Sequence, residues 1–254
     1  MNPAFNLTEY IMRHVMNSNE WHLPFLGYVA LPAFLPLHAL MLFFCALILI
    51  VVFCFFYRYQ DRVPTGLTNL LEAFVQFVRD GIAIPSLGEQ EGERLTPLLC
   101  TLFFFILGLN LLGQIPLFET ATANISVTAP LALVTFYFMT ADTVRKNGLG
   151  GFLKAFAPAG VPKIILPFIF LMEFVSMFIK TFALMIRLFA NMLAGHMLIL
   201  SLLGMVVMFG LWALPAVVLA VGISLLELLI VFLQAYIFVL LSAVFIGQMY
   251  HPEH

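Results

Sequence analysis

Apolar residues gather into five runs, and the polar stretches between them organise the chain. A helix that crosses a membrane needs roughly 20 apolar residues. The first such run is about 34–57, from "FLPLHALMLFF" to "VVFCFFY", and Arg58, Asp61, Arg62 and Pro64 end it. The second is about 96–116, closed by "GQIP", and the third about 127–143. Two long runs follow, 163–207 and 213–248. The fourth is about 45 residues, roughly twice a perpendicular crossing, so it predicts a helix that is strongly tilted or broken.

The polar stretches carry their own signals. Residues 1–33 form an N-terminal outer segment, with Glu9 and Glu20 in it and no short basic start of a cleaved signal peptide. In 65–82, Leu67, Leu70, Leu71, Phe74, Phe77 and Val78 repeat at helical spacing, while Glu72, Gln76, Arg79 and Asp80 break the run. That pattern predicts an amphipathic helix at the membrane interface. "GEQEGER", 88–94, reads as a polar loop, "FETATANIS" as an outer linker, and "DTVRKNGLGGFLKAF" as a second, glycine-rich loop. Arg58, Arg62, Arg79 and Arg94 follow the first span, and Arg145, Lys146, Lys154 and Lys163 follow the third. This bias makes their side cytoplasmic, with the N-terminus outside and "GQMYHPEH" inside.

Composition agrees with the pattern and narrows the function. The chain has 254 residues, 63% hydrophobic and 9% charged, with mean hydropathy +1.08. Soluble domains carry about 25% charged residues. The fold class expected is therefore all-α and polytopic: about five spans, an interfacial amphipathic helix, one membrane domain over 1–254 and no internal repeat. A net charge of −2 and the lack of a basic patch exclude nucleic acid as a partner. Cys45, Cys54 and Cys100 lie in apolar runs without metal spacing, as buried small hydrophobes do. No metal or cofactor site is expected. Nearly all of the chain is membrane-embedded, so soluble catalysis belongs to partners.

The chemistry concentrates in "IKTFALMIRLFANMLAGH", residues 179–196, and the run after it. A charge at the bilayer centre costs about 2.5–3.5 kcal/mol on insertion scales. Yet these runs hold Glu173, Lys180, Arg187, His196 and Glu227, with Asn191 and Gln234 beside them. Glu173, Lys180 and Arg187 are seven residues apart, and Ser176 and Asn191 fall near the same helical stripe. An antiparallel hairpin with Arg187 opposite Gln234 and His196 opposite Glu227 places its turn near residue 211. There the sequence reads "FGLWALP", with the glycine and proline of a break. Plainer roles exist for some: Lys180 as a snorkelling cation, Asn191 and Gln234 as interhelical hydrogen-bond partners, His196 as a packing residue. Buried carboxylates such as Glu173 and Glu227 have fewer structural roles. Arg187 cannot lose its proton and has no carboxylate within one turn, so its partner is expected on another subunit.

These residues carry a resemblance. "FLMEFVSMFIKTFALMIRLFANMLAGH" and "LLELLIVFLQAYIFVLLSAVFIGQMY" resemble the subunit a family of F-type ATP synthases, and "LNLLGQIP", "TANISVT" and "KNGLGGF" support it over roughly 30–250. The resemblance implies a stator with two offset aqueous half-channels that carry protons to and from carboxylates of a rotating c-subunit ring. Arg187 matches the essential arginine facing those carboxylates, and Asn191 and Gln234 its polar neighbours. His196 and Glu227 match an outer-path pair, exchanged in order relative to some members. Glu173 and Ser176 match inner-path positions. An acid that some members carry in "LNLLGQIP" is absent, with Gly113 and Gln114 in its place. The implied partners are the c-ring, peripheral-stalk b subunits, the F1 sector and lipid, in a bacterial inner membrane; ATP chemistry falls to the partners.

Two other classes fit less well. A secondary transporter or ion channel also places polar residues at mid-membrane, but a transporter shows repeats and interrupted helices in both halves. Here the polar residues crowd the last third. An intramembrane hydrolase would use a pair such as Ser224 and His196, yet neither GxSxG nor HExxH occurs.

Overall fold

The computed structural model describes residues 20–23, 27–30, 36–56, 66–115, 118, 120–156, 162 and 164–250. Arg13, Arg58, Arg62, Lys163 and most of the predicted outer segment lie outside the described residues. Within that segment, β1 (Glu20–Leu23) and β2 (Gly27–Ala30) pair antiparallel, Glu20 opposite Ala30. They are the only strands among the described residues; the sequence assigned no element there.

Everything else is helical, because a chain in hydrocarbon must satisfy its backbone internally. α1 (Leu37–Val51) runs into a π-turn, Val52–Phe56. α2 (Leu67–Val78), a π-turn (Arg79–Ala83) and α3 (Ile84–Leu87) follow one another without a break. α4 is Glu89–Gly113. A short 3-10 turn (Ala121–Ala123) precedes α5 (Ile125–Tyr137), a third π-turn (Phe138–Asp142) and α6 (Thr143–Lys154). α7 (Leu166–Phe209) and α8 (Leu214–Tyr250) flank the 3-10 turn Gly210–Ala213. Five helices are long and apolar enough to cross a membrane: Leu37–Phe55, Glu89–Gly113, Ile125–Lys154, Leu166–Val206 and Leu214–Tyr250. The chain is an all-α, multi-pass membrane protein.

Two expected loops are helix. Residues 88–94 begin α4 after a corner at Gly88, whose φ of 80 lies in the left-handed region that glycine favours. Glu89 and Glu91 then stand in the first turn, where carboxylates suit the helix dipole. "DTVRKNGLGGFLK" is also helical, interrupted at Gly148 (φ 70, ψ 170). Hydropathy marks where a helix leaves lipid, not where it stops. Among the cysteines, Cys45 and Cys100 are buried, but Cys54, on a π-turn, is exposed.

The chain divides into two compact units. One takes in the described residues up to Ile50, Phe105–Thr128 and Leu188–Gln234. Its core joins Leu37, Met41 and Cys45 of α1 to Leu109 of α4, Ala121 and Val127. A Cβ on Gly108 would lie 2.8 Å from the Cys45 sulfur, so the absent side chain lets α1 and α4 approach closely.

The other unit takes in Val51–Phe104, Ala129–Arg187 and the described residues after Gln234. α2 buries Leu71 and Val78 and leaves Leu67, Leu70 and Phe77 outward. That apolar edge suits lipid, as expected of an amphipathic helix. Phe74 meets Phe103 and Phe104 of α4. Gly92 of α4 lies against backbone at Ala83 and Ile84, and Gly247 of α8 against the Ser86 carbonyl. Thr135 and Ser242 share a buried hydrogen bond of 2.8 Å. An ionic cluster joins α4, the third π-turn, α6 and α8. Arg94 pairs with Glu91 (3.0 Å) and Asp142, Lys146 with Glu91 (3.0 Å), and the Tyr250 hydroxyl donates to Asp142. Lys146 also sits 4.5 Å over the Tyr250 ring, and Asn147 donates to the Tyr250 carbonyl at 3.1 Å.

Gly247→Ala pushes a methyl onto main chain that cannot move aside. It is expected to cost about 1–3 kcal/mol, read as an earlier midpoint in thermal inactivation. Gly222→Ala, with nothing within 4 Å of its Cβ, leaves the midpoint in place. Arg94→Gln strips Asp142 and Glu91 of a shared cation. The Arg94 side chain is 45% exposed, so the loss expected in the same assay is about 1–2 kcal/mol, below that of a fully buried pair.

Candidate functional site on the long helix pair

α7 and α8 run antiparallel, joined by the turn at Gly210–Ala213, the stretch the sequence marked for a break. In the first unit, Asn191 Nδ2 donates to Gln234 Oε1 at 2.8 Å. Closer to the turn, the Glu227 carboxyl lies over Gly195. Gly195 has no side chain, and a Cβ there would lie 2.9 Å from Glu227 Cδ. The helices settle into the register that gives the carboxyl this space.

Glu227 is 4% exposed and Gln234 2%. Gln114, just past the end of α4, hydrogen-bonds the Glu227 carboxyl. Glu227 therefore reaches the residue next to His196 on α7. The half-buried His196 places Nδ1 3.4 Å from Thr120 Oγ1. Behind them Thr122 donates to Asn110 at 2.8 Å, and both side chains are fully buried. His196 and Glu227 belong to one polar region that includes Gln114 and Thr120.

The second unit holds the other candidates. Glu173 is exposed on α7, Ser176 half-buried one turn on, and Arg187 half-buried near mid-helix. Lys180 donates to Gln248 at 3.0 Å and lies 5.6 Å over the Phe245 ring. It is held by α8, which favours a packed role over a snorkelling one. Among the described residues the ion pairs involve Arg79, Arg94 and Lys146, and none involves Arg187.

Three features escaped the sequence reading. Thr120 lies in a linker whose fold no periodicity reports. Gln114 was noted only as a missing acid. Gly195 precedes a polar residue inside a helix, and that pairing was the available sign of a close approach.

Similarity to known proteins agrees with this geometry. Residues 39–247 match the family described as ATP synthase A chain. The ATP synthase subunit a of Anaeromyxobacter dehalogenans strain 2CP-C is 47% identical over 215 residues, 83% of this chain and 56% of the relative. That of Chloroherpeton thalassium is 40% identical over 259 residues, 96% of this chain and 77% of the relative. An ATP synthase subunit a 2 of Chlorobium luteolum is 37% identical over 256 residues, 94% and 74% of the two chains. The chain spans about half the length of the Anaeromyxobacter relatives it matches: 56%, 50% and 53%. With a family match over most of its residues and long relatives well above 30% identity, this chain belongs to the ATP synthase A chain family.

Proposed function

We propose that the chain is the proton-conducting stator subunit in the membrane sector of a bacterial ATP synthase, working against a rotating ring of c subunits. Peripheral-stalk b subunits hold it still, and the F1 sector carries out the ATP chemistry. The observation that carries this reading is Arg187: a permanent cation half-buried in a long apolar helix, with no ion-pair partner among the described residues. A charge so placed calls for a carboxylate from outside the chain.

The mechanism follows from the order of polar residues. His196 and Glu227 lie toward the helix turn, on the outer side, and Glu173 and Ser176 toward the other end of α7. A proton enters from outside through the region of Glu227, Gln114 and His196 and neutralises a ring carboxylate, which can then face lipid. After rotation it is released along the inner path past Ser176 and Glu173. Arg187 favours the ionised carboxylate as it passes and repels a proton crossing directly. The Asn191–Gln234 pair fixes the register of the two helices next to that point. At 1.5 Å per residue, α7 is about 66 Å long against a hydrocarbon layer of about 30 Å. It therefore lies strongly oblique, a surface suited to a ring. Each charge crossing gains about 2.3 kcal/mol per 100 mV, so several protons serve each ATP.

In inverted membrane vesicles, Arg187→Ala is expected to abolish ATP-driven acidification while ATP hydrolysis persists. Pumping at the parental rate would remove Arg187 from the ion path and reopen the transporter reading. For the polar pair, Asn191→Leu and Gln234→Leu form a double-mutant cycle. Thermal inactivation should show a coupling of about 0.6–1.7 kcal/mol, the double variant losing less than the two singles added together.

A further inference from the structure

A carboxyl that takes up and returns a proton changes what it asks of its neighbours. Ionised, it only accepts hydrogen bonds; protonated, it also has one O–H to donate. At a wet surface water meets both needs. Glu227 is 4% exposed, and its Cδ lies 2.9 Å from where a Cβ of Gly195 would stand. Among the described residues, the hydrogen-bond partner of its carboxyl is the Gln114 side chain. The titratable neighbour is His196, next to Gly195 on α7, while Thr120, Asn191 and Gln234 carry no group that titrates. Gln114 is therefore the neighbour that meets Glu227 in either form.

The end of α4 is fastened where this reach is possible. The Gln114 N–H donates to the Leu111 carbonyl at 3.2 Å, and that of Ile115 to Leu112 at 3.1 Å. Gly113 is held as well: Thr120 Oγ1 lies 3.3 Å from its carbonyl oxygen, and a Cβ on it would stand 3.0 Å from Thr120 Cγ2. From this base the half-buried Gln114 presents an amide. An amide has an NH2 that donates and a carbonyl that accepts, whereas Lys, Arg and Trp only donate.

We propose that Gln114 is a positioning residue that satisfies Glu227 in both protonation states, so that Glu227 exchanges a proton without any buried polar atom losing its partner. This rests on the reading of Glu227 as part of the outer proton path. In the ionised form, Gln114 Nε2–H donates to one carboxylate oxygen. When a proton arrives at the other oxygen, the new O–H donates to Gln114 Oε1 while Nε2–H still donates to the acid carbonyl. When that proton leaves, the carboxylate and its single bond return. The amide itself gains and loses no proton.

The test is pH-difference infrared spectroscopy of the intact complex in lipid, with Glu227→Gln identifying the Glu227 bands, alongside ATP-driven acidification in inverted vesicles. The parent should show a Glu227 acid carbonyl band at the lowered frequency of a hydrogen-bonded acid, exchanging with carboxylate bands. Gln114→Leu should raise that band to the frequency of an unbonded acid and lower pumping about tenfold, the size of one hydrogen bond. Gln114→Lys, which can only donate, should hold Glu227 as the carboxylate and lower pumping at least as much. A parental acid band at the unbonded frequency, an unmoved band in Gln114→Leu, or parental pumping by Gln114→Lys overturns the proposal. The parental spectrum decides even if both variants fail to assemble. Parental pumping by Glu227→Gln would instead sink the proton-path reading of Glu227, and the band positions would still decide what Gln114 does.

Discussion

Glu227 lies buried over the bare Cα of Gly195, its carboxyl bonded by Gln114. A carboxyl in an apolar helix pair needs both room and a hydrogen-bond partner, because an unmet polar group in hydrocarbon costs several kcal/mol. Gly195 supplies the room and Gln114 the partner. The rest of the first unit follows from that contact. It fixes how far α7 and α8 slide past one another, and Asn191 meets Gln234 seven residues further along α8. It brings the end of α4 to the helix pair, and with it Gly113, Thr120 and the side chain of His196.

The two kinds of charge in this molecule behave differently. Glu91, Arg94, Asp142 and Lys146 neutralise one another in a closed cluster, with Tyr250 completing the bonds. Such a cluster fastens helices and has no charge left over. Arg187 has no such partner among the described residues. Paired charges hold the fold, and the single cation is free to meet a group that comes and goes. That contrast separates architecture from mechanism without reference to position along the chain.

Hydropathy runs located all five long helices, and the "FGLWALP" stretch located the hairpin turn, because glycine, proline and apolar length act locally. Seven-residue spacing singled out Glu173, Arg187, Asn191, Glu227 and Gln234. What the sequence withheld depends on distant residues. The helical state of 88–94 and 143–154 rests on ion pairs between separate segments. Thr120 lies in a linker, and only the fold brings it to a histidine 76 residues away.

The second unit is assembled from pieces far apart in the chain, and Tyr250 bonds Asp142 across 108 residues. A ribosome delivers Glu91, Arg94, Asp142 and Lys146 to the membrane well before Tyr250 and α8 exist. Until then Gly92 can already seat α4 on α3, but the Ser86 carbonyl still awaits Gly247, and Asp142 awaits its phenol. The fold of this unit is thus closed late in synthesis, by its final helix. Early helices must wait beside one another in lipid, held by contacts that are local and incomplete, until the last one locks them.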